Sequence, residues 1–220
     1  YCYASYLGQS YRLRSPSDVV NEMVFLKNRY GVDYIHFLDD LFMTDWKWVL
    51  EFCDLLEKKN QQNGFFVEWG GSCRSNIVAD DVVRAKKQSR KNFVERGKEV
   101  GLVHIGFGLE TASPKILKTI DKSGQTVEKM EIAVSEVQRI LGYVDCSFMI
   151  GSPGETEKTV EETVEFCKRT ELRPEVFFYT TAYPATKFWE LAVANGLITK
   201  SVTGVADVVT DDIIEQYFLL

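Results

Sequence analysis

Short runs of apolar residues alternate with longer amphipathic segments along nearly the whole chain. The apolar runs have the length and the β-branched and aromatic content that are typical of buried parallel strands. They cover residues 34–38, 65–69, 103–107, 144–150 and 176–181. This alternation predicts successive strand and helix units, which form either a doubly wound open sheet or a complete or partial barrel.

Helices are predicted between these strands, because capping residues precede each amphipathic segment. The first is expected at residues 15–30 and the second at residues 44–63, and each is followed directly by a glycine that ends it. A third helix is expected from about residue 80 to residue 99. The later helices are predicted to begin near residues 113, 126, 155 and 186.

Polar side chains collect where the predicted strands end. In both candidate architectures the loops at the carboxyl ends of the strands form the active site, so this clustering favours an enzyme. Capping of the next helix or ordinary loop chemistry also explains such residues, the adjacent acids after the first strand above all. The polar positions, in strand order, are Asp39 and Asp40, Ser72 and Arg74, Glu110 and Thr111, Ser152 and Glu155, and Tyr183.

Composition narrows the class of protein. The 220 residues are 45% apolar, which is enough for a sizeable core, and the net charge of −6 argues against a general nucleic-acid binder. The densest basic run, at residues 86–91, is expected to be a solvated helix face. No apolar segment is long enough to span a bilayer, so we expect no membrane span and a cytoplasmic protein.

The cysteines and histidines carry little signal individually. Five cysteines without regular spacing do not indicate a disulfide framework. Cys53, Cys73 and Cys167 are predicted to be buried thiols, and His36 and His104 to be hydrogen-bonded core residues of strands. The chain has no His-Glu-x-x-His motif, no Gly-x-Ser-x-Gly motif and no phosphate-binding loop of the Walker type, which counts against hydrolases and nucleoside triphosphatases.

The motifs nevertheless occur in an order that resembles the radical S-adenosylmethionine (SAM) family, especially the branch whose members often carry an upstream cobalamin-binding domain. The resemblance covers about residues 1–198. It depends on five segments in sequence order. They are Tyr1-Cys2 with the following Arg14-Ser15-Pro16, Phe37-Leu38-Asp39-Asp40, Phe107-Gly108-Leu109-Glu110, Ile150-Gly151-Ser152-Pro153-Gly154-Glu155, and Tyr183-Pro184.

This resemblance implies a fold and a domain organisation. The fold is an α/β partial (β/α)6 barrel of the TIM type, with the first strand missing. Residues 1–198 would form the catalytic barrel and residues 199–220 the start of a C-terminal extension. Cys2 would be the third cysteine of the family's Cys-x-x-x-Cys-x-x-Cys loop, so the 220-residue chain alone is expected to incorporate iron substoichiometrically or not at all.

The resemblance also implies cofactors and residue roles. Three thiolates would hold a 4Fe-4S cluster with one open iron for SAM. The metal ligand would be Cys2. Asp39 or Asp40 would face the amino group of SAM, Arg74 its carboxylate, Glu110 its ribose, and Ile150 and Gly151 its adenine, with Ser72 and Tyr183 in the same cofactor-binding set.

The implied activity is reductive cleavage of SAM to a 5′-deoxyadenosyl radical, leading to cobalamin-dependent methyl transfer or to cyclisation. The cobalamin would be bound by a domain outside this chain. The expected partners are a small-molecule or peptide substrate and an electron donor such as flavodoxin or ferredoxin. One alternative is a non-radical barrel lyase or aldolase, which is disfavoured because no strand-end lysine is evident that could form a Schiff base with a substrate. Another is a barrel without a cluster that acts as a binding scaffold.

Overall fold

A computed structural model describes residues 12–122, 124–174, 176–184 and 186–197. Strands and helices alternate along this part of the chain, as the apolar pattern predicts. The elements are α1 (Pro16–Tyr30), β1 (Tyr34–Phe37), α2 (Trp46–Asn63), β2 (Glu68–Cys73), α3 (Ser75–Lys87), α4 (Phe93–Glu99), β3 (Leu102–Glu110), α5 (Pro114–Thr119), α6 (Val127–Leu141), β4 (Asp145–Ile150), α7 (Glu157–Arg169), β5 (Val176–Tyr179) and α8 (Lys187–Ala194).

The order of the strands distinguishes the two candidate architectures. All four pairings are parallel, and the spatial order is β1-β2-β3-β4-β5, the same as the order along the chain. A doubly wound sheet reverses its strand order at a switch point, whereas a barrel adds each strand beside the previous one. The sheet is therefore a curled half-barrel, which confirms the partial TIM-type barrel.

The first two helices begin and end where their capping residues predict. The Ser15 side chain accepts a hydrogen bond from the Asp18 amide, and the Asp45 carboxylate accepts one from the Lys47 amide at 2.6 Å. Gly31 and Gly64 end the helices with left-handed φ angles of 69° and 62°. Local signals are sufficient here, because a cap involves only neighbours in sequence.

The second strand lies later in the chain than predicted. Residues 65–67 precede it, and β2 extends through Gly70 and Gly71, which lie beyond the predicted range of 65–69. A Cβ atom on Gly70 would lie 2.6 Å from the Cβ atom of His104, and one on Gly71 would lie 3.2 Å from that of Phe42. These glycines permit the close packing of neighbouring elements.

The third predicted helix is two helices. α3 and α4 are separated by residues 88–92, and the buried Asp81 carboxylate explains the break. It binds the guanidinium of Arg90 and accepts a hydrogen bond from the backbone amide of Phe93 at 2.9 Å. Arg90 also stacks on the Trp46 ring, 4.7 Å from its centroid. The basic run is thus not simply a solvated face, because Arg90 takes part in packing.

The two faces of the sheet have different compositions. Large apolar side chains of β2, β3 and β4 face the helices, and an aromatic cluster packs there: Phe52 lies edge-on to Trp69, with 5.0 Å between the ring centroids. The prediction of a buried strand was wrong for β5, where every residue is exposed. The alternation along each strand places the other residues on the inner face of the half-barrel. That face carries Tyr34, His36, Gly70, Ser72, His104, Gly106, Gly108, Asp145, Ser147 and Met149.

No helix in the described part of the chain is both long enough and apolar enough to cross a membrane.

Candidate active site

The loop after β1 is fastened to the carboxyl end of β2. The Ser72 hydroxyl donates a hydrogen bond to the backbone oxygen of Asp39 at 2.8 Å, and the Met43 amide donates one to the backbone oxygen of Ser72 at 3.1 Å. Met43 and Cys73 also form an isolated parallel β-bridge. Ser72 therefore supports the loop that carries the two adjacent acids.

A cavity of about 810 Å³ lies beside this loop. Asp39, Asp40 and Arg74 line it together, along with His36 and with Glu22 of α1. The fold thus brings together the residues that were predicted to face the amino and carboxylate groups of SAM. A pocket of this size with a few charged groups at its wall is typical of a small-molecule site. Ser72, Glu110, Ile150, Gly151 and Tyr183 are not among the described residues that line it.

Glu110 ends β3 in a strained conformation. Its φ angle is 65°, and the register of β3 against β4 shifts between Gly108 and Glu110. A left-handed residue other than glycine costs on the order of 1–3 kcal/mol, and such irregularities re-aim side chains next to functional sites. The Glu110 carboxylate forms an ion pair with Lys122, with 2.6 Å between Nζ and Oε1. The periodicity of the sequence gives no sign of this pair, because both residues lie outside the regular pattern.

Hydrogen bonds hold the loop after β4 in place. Gly151 has a φ angle of 90°, and its amide donates a hydrogen bond to the Glu155 carboxylate. The Thr180 amide donates to the backbone oxygen of Ile150 at 2.8 Å, which joins this loop to the segment after β5. Nothing lies within 4 Å of the position that a Cβ atom on Gly151 would take. The open side of Gly151 fits the approach of a flat ring.

Tyr183 lies in the segment between β5 and α8. About half of its surface is exposed, and its backbone oxygen accepts a hydrogen bond from the Thr186 hydroxyl at 2.6 Å. The Thr186 side chain also caps α8. Tyr183 is thus held at the far edge of the half-barrel from Asp39.

The predicted metal ligand, Cys2, lies outside the described residues. Cys53 and Cys73 are buried, as predicted, and Cys167 is half-buried. Burial raises the pKa of the Cys53 thiol to about 12, and it also raises the pKa of the Cys73 thiol. Metal binding requires a thiolate, so these buried thiols are poor ligands. No group of three or more potential metal ligands occurs within the part of the chain that the structure describes.

A polar row crosses the inner face of the sheet. The Tyr34 hydroxyl lies 2.9 Å from His36 Nδ1, the rings of His36 and His104 are 5.1 Å apart, and His104 Nε2 lies 3.2 Å from the Asp145 carboxylate. The prediction that both histidines are core residues was wrong for His36, which is exposed. Barrel interiors are usually filled by branched apolar side chains, whereas the inner face of this half-barrel carries a polar row.

Gly70 makes the row possible, and its replacement is expected to destabilise the protein. In Gly70→Ala the new Cβ atom would lie 2.6 Å from the Cβ atom and 2.9 Å from the backbone oxygen of His104, so β2 and β3 must separate. We expect a loss of about 1–3 kcal/mol, measured by urea denaturation. Gly106→Ala is the matched control, because its Cβ atom would have only ordinary contacts at 3.5 and 3.6 Å. Equal stability of the two variants would contradict the prediction.

A family model of the radical SAM superfamily matches residues 1–167. The chain belongs to the radical SAM superfamily. Among curated relatives, an uncharacterized methyltransferase of Pyrococcus horikoshii is 32% identical over 87% of this chain and 38% of its own length. An anaerobic magnesium-protoporphyrin IX monomethyl ester cyclase of Cereibacter sphaeroides is 28% identical over 70% of this chain and 23% of its own length. The chain therefore spans well under half of these relatives.

Solved structures show the same fold. The radical SAM methyltransferase TsrM from Kitasatospora setae, with cobalamin and a 4Fe-4S cluster bound, has a TM-score of 0.60 at 18% identity, over 76% of this chain and 29% of that chain. The cobalamin-dependent radical SAM enzyme OxsB, with aqua-cobalamin and SAM bound, also has a TM-score of 0.60, at 17% identity over 85% of this chain and 26% of that chain. Membership of this superfamily implies a 4Fe-4S cluster and SAM as cofactors.

The described residues fit SAM. The cofactor carries an amino group, a carboxylate, a ribose diol and a flat adenine ring. The strand ends provide acids at residues 39 and 40, the Arg74 guanidinium, the Glu110 carboxylate and the open backbone of Gly151. These residue types are chemically complementary to the groups that the cofactor carries.

Proposed function

We propose that the protein containing this chain is a cobalamin-dependent radical SAM enzyme that methylates or cyclises its substrate. A reduced 4Fe-4S cluster supplies the electron that cleaves SAM to methionine and a 5′-deoxyadenosyl radical, and an external donor such as flavodoxin or ferredoxin re-reduces the cluster. Cys2 is one of the three cluster ligands. The substrate, a small molecule or a peptide, occupies the interior of the half-barrel.

The observation that supports this proposal most strongly is the gathering of Asp39, Asp40 and Arg74 around one cavity at the carboxyl edge of the sheet. Asp39 or Asp40 would take the amino group of SAM, and Arg74 its carboxylate. Glu110 takes the ribose hydroxyls, and Ile150 and Gly151 pack against adenine. Ser72 and Tyr183 complete the site.

The relatives support the choice of reaction. Their names include a methyltransferase, a magnesium-protoporphyrin IX monomethyl ester cyclase and a bacteriochlorophyllide methyltransferase of Chlorobaculum tepidum, and the TsrM and OxsB structures contain cobalamin. Methyl transfer and cyclisation both begin from a substrate that is held close to SAM and shielded from water. The polar side chains on the inner face offer such a substrate hydrogen-bonding groups.

The proposal is tested on the full-length protein, purified and reconstituted with iron and sulfide without oxygen. We expect a 4Fe-4S spectrum that changes when SAM is added, and formation of 5′-deoxyadenosine or S-adenosylhomocysteine that requires both SAM and a reductant. Visible absorption of the purified protein is expected to show a bound corrinoid. A protein that holds its cluster but neither binds nor cleaves SAM would contradict the proposal and favour a binding scaffold.

A further inference from the structure

Lys122 is a nearly buried cation at the carboxyl end of β3. Its side chain is only 9% exposed, and that of its partner Glu110 is 13% exposed. The ammonium donates one hydrogen bond to Glu110 Oε1 and another to the backbone oxygen of Gly108. A lysine is rarely buried unless it is paired, so the fold places this cation at this position through specific contacts.

The loop that carries Lys122 returns from α5 to the carboxyl end of β3. Residue Asp121, just before it, has a left-handed φ angle of 52°, and the Lys122 amide donates a hydrogen bond to the backbone oxygen of Leu117 at 3.2 Å. This geometry ends α5 and turns the chain toward β3. Gln125 in the same loop donates a side-chain hydrogen bond to the backbone oxygen of Leu109 at 3.0 Å. The loop thus binds three consecutive residues of β3.

These contacts determine where the Glu110 carboxylate lies. Its backbone is left-handed and follows an irregularity of register, so the strand alone does not fix the direction of the side chain. A Cβ atom on Gly108 would lie 2.7 Å from Glu110 Oε1, so the carboxylate lies directly beside the backbone of residue 108. A carboxylate has about four lone-pair sites, so an ion pair with one ammonium does not by itself exhaust its capacity to accept hydrogen bonds.

We propose that Lys122 is a positioning residue, which holds the Glu110 carboxylate in place to accept hydrogen bonds from the two ribose hydroxyls of SAM. This inference rests on the proposed function, because it assigns a support to the ribose contact of that same site. Lys122 acts through Glu110 and does not itself contact the ribose. Prior fixation of the carboxylate lowers the entropy that is lost when the ribose binds.

The test is a set of binding measurements by calorimetry on the full-length protein with its cluster in place. Two probes are used, S-adenosylhomocysteine and an analogue of it that lacks both ribose hydroxyls. In Lys122→Met we expect the Kd for S-adenosylhomocysteine to rise about tenfold or more, while the Kd for the analogue changes less than about twofold. Lys122→Arg, which keeps the charge and the hydrogen-bond donors, is expected to recover most of the affinity.

Lys118→Met is the matched control, because Lys118 is an exposed lysine of the preceding helix. Its binding of both probes is expected to equal that of the wild type. Equal losses of affinity for both probes in Lys122→Met would overturn the inference, because they would show that Lys122 supports the loop as a whole and not the ribose contact. An unchanged Kd would overturn it as well.

A wild-type protein that binds neither probe would instead contradict the proposed function, so the two failures are distinguishable. Thermal unfolding by circular dichroism shows whether each variant is folded. If Lys122→Met is unfolded, Lys122→Gln is measured with the same two probes, and the same ratio of the two Kd values decides the outcome.

Discussion

The Cys2→Ala variant of the full-length protein is expected to lose its 4Fe-4S cluster and all SAM cleavage. A 4Fe-4S cluster of this family has only three protein thiolates, and removal of one leaves two irons without a protein ligand. Iron content measured colorimetrically and the electron paramagnetic resonance of the reduced protein are expected to fall to background. Formation of 5′-deoxyadenosine or S-adenosylhomocysteine is expected to fall with them.

Cys73→Ala is the matched control for Cys2→Ala. The Cys73 thiol is buried, and it donates a hydrogen bond to the backbone oxygen of Met43 at 3.4 Å. Its replacement is expected to lower the free energy of unfolding through a small cavity while the iron content stays at the wild-type value. A folded Cys73→Ala protein without iron would transfer the ligand role to Cys73, and a Cys2→Ala protein with a full cluster would refute the assignment of Cys2.

Asp81→Ala is expected to lower the free energy of unfolding by about 3–5 kcal/mol, which is the cost of breaking a buried ion pair on one side. The Asp81 side chain is 0% exposed, and it joins α3 to the start of α4 through Arg90 and the Phe93 amide. In the variant, the Arg90 guanidinium and the Phe93 amide both lose their hydrogen-bond acceptor. Urea denaturation followed by circular dichroism measures the change.

The neighbouring residue provides the control for this prediction. Asp80 pairs with Lys129 at 2.8 Å, but its side chain is 47% exposed, so Asp80→Ala is expected to cost less than about 1 kcal/mol. The two variants remove the same charge one residue apart, and they differ in the burial and the hydrogen bonding of the carboxylate. If Asp80→Ala destabilised the protein as much as Asp81→Ala, net charge rather than burial would be the cause.

Elements with local capping signals could be predicted from the sequence. α1 and α2 have the predicted bounds, because Ser15, Asp45, Gly31 and Gly64 act on residues within one turn. The break between α3 and α4 could not be predicted, because it depends on a carboxylate that is buried only after the two helices pack. The two glycines of β2 lie outside the predicted strand for the same reason, since their role is a contact with other elements.

The candidate site was predictable only in part. Parallel strands bring their carboxyl ends to one edge, so the meeting of Asp39, Asp40 and Arg74 follows from the topology. The link between Glu110 and Lys122 does not, because it requires a left-handed strand end and a loop that returns to it. The polar row from Tyr34 to Asp145 depends on the register of three strand pairings. The sequence pattern of each strand does not specify this register.

The difference between the two faces of the sheet bears on how such a barrel can change its substrate. The aromatic and aliphatic side chains that stabilise the chain lie on the helix side, whereas the inner face contributes little apolar burial. A substitution at an inner position such as Ser147 or Met149 can therefore alter the shape and hydrogen bonding of the interior at little cost in folding. Separation of stability from specificity in this way gives the scaffold a large capacity for evolutionary change.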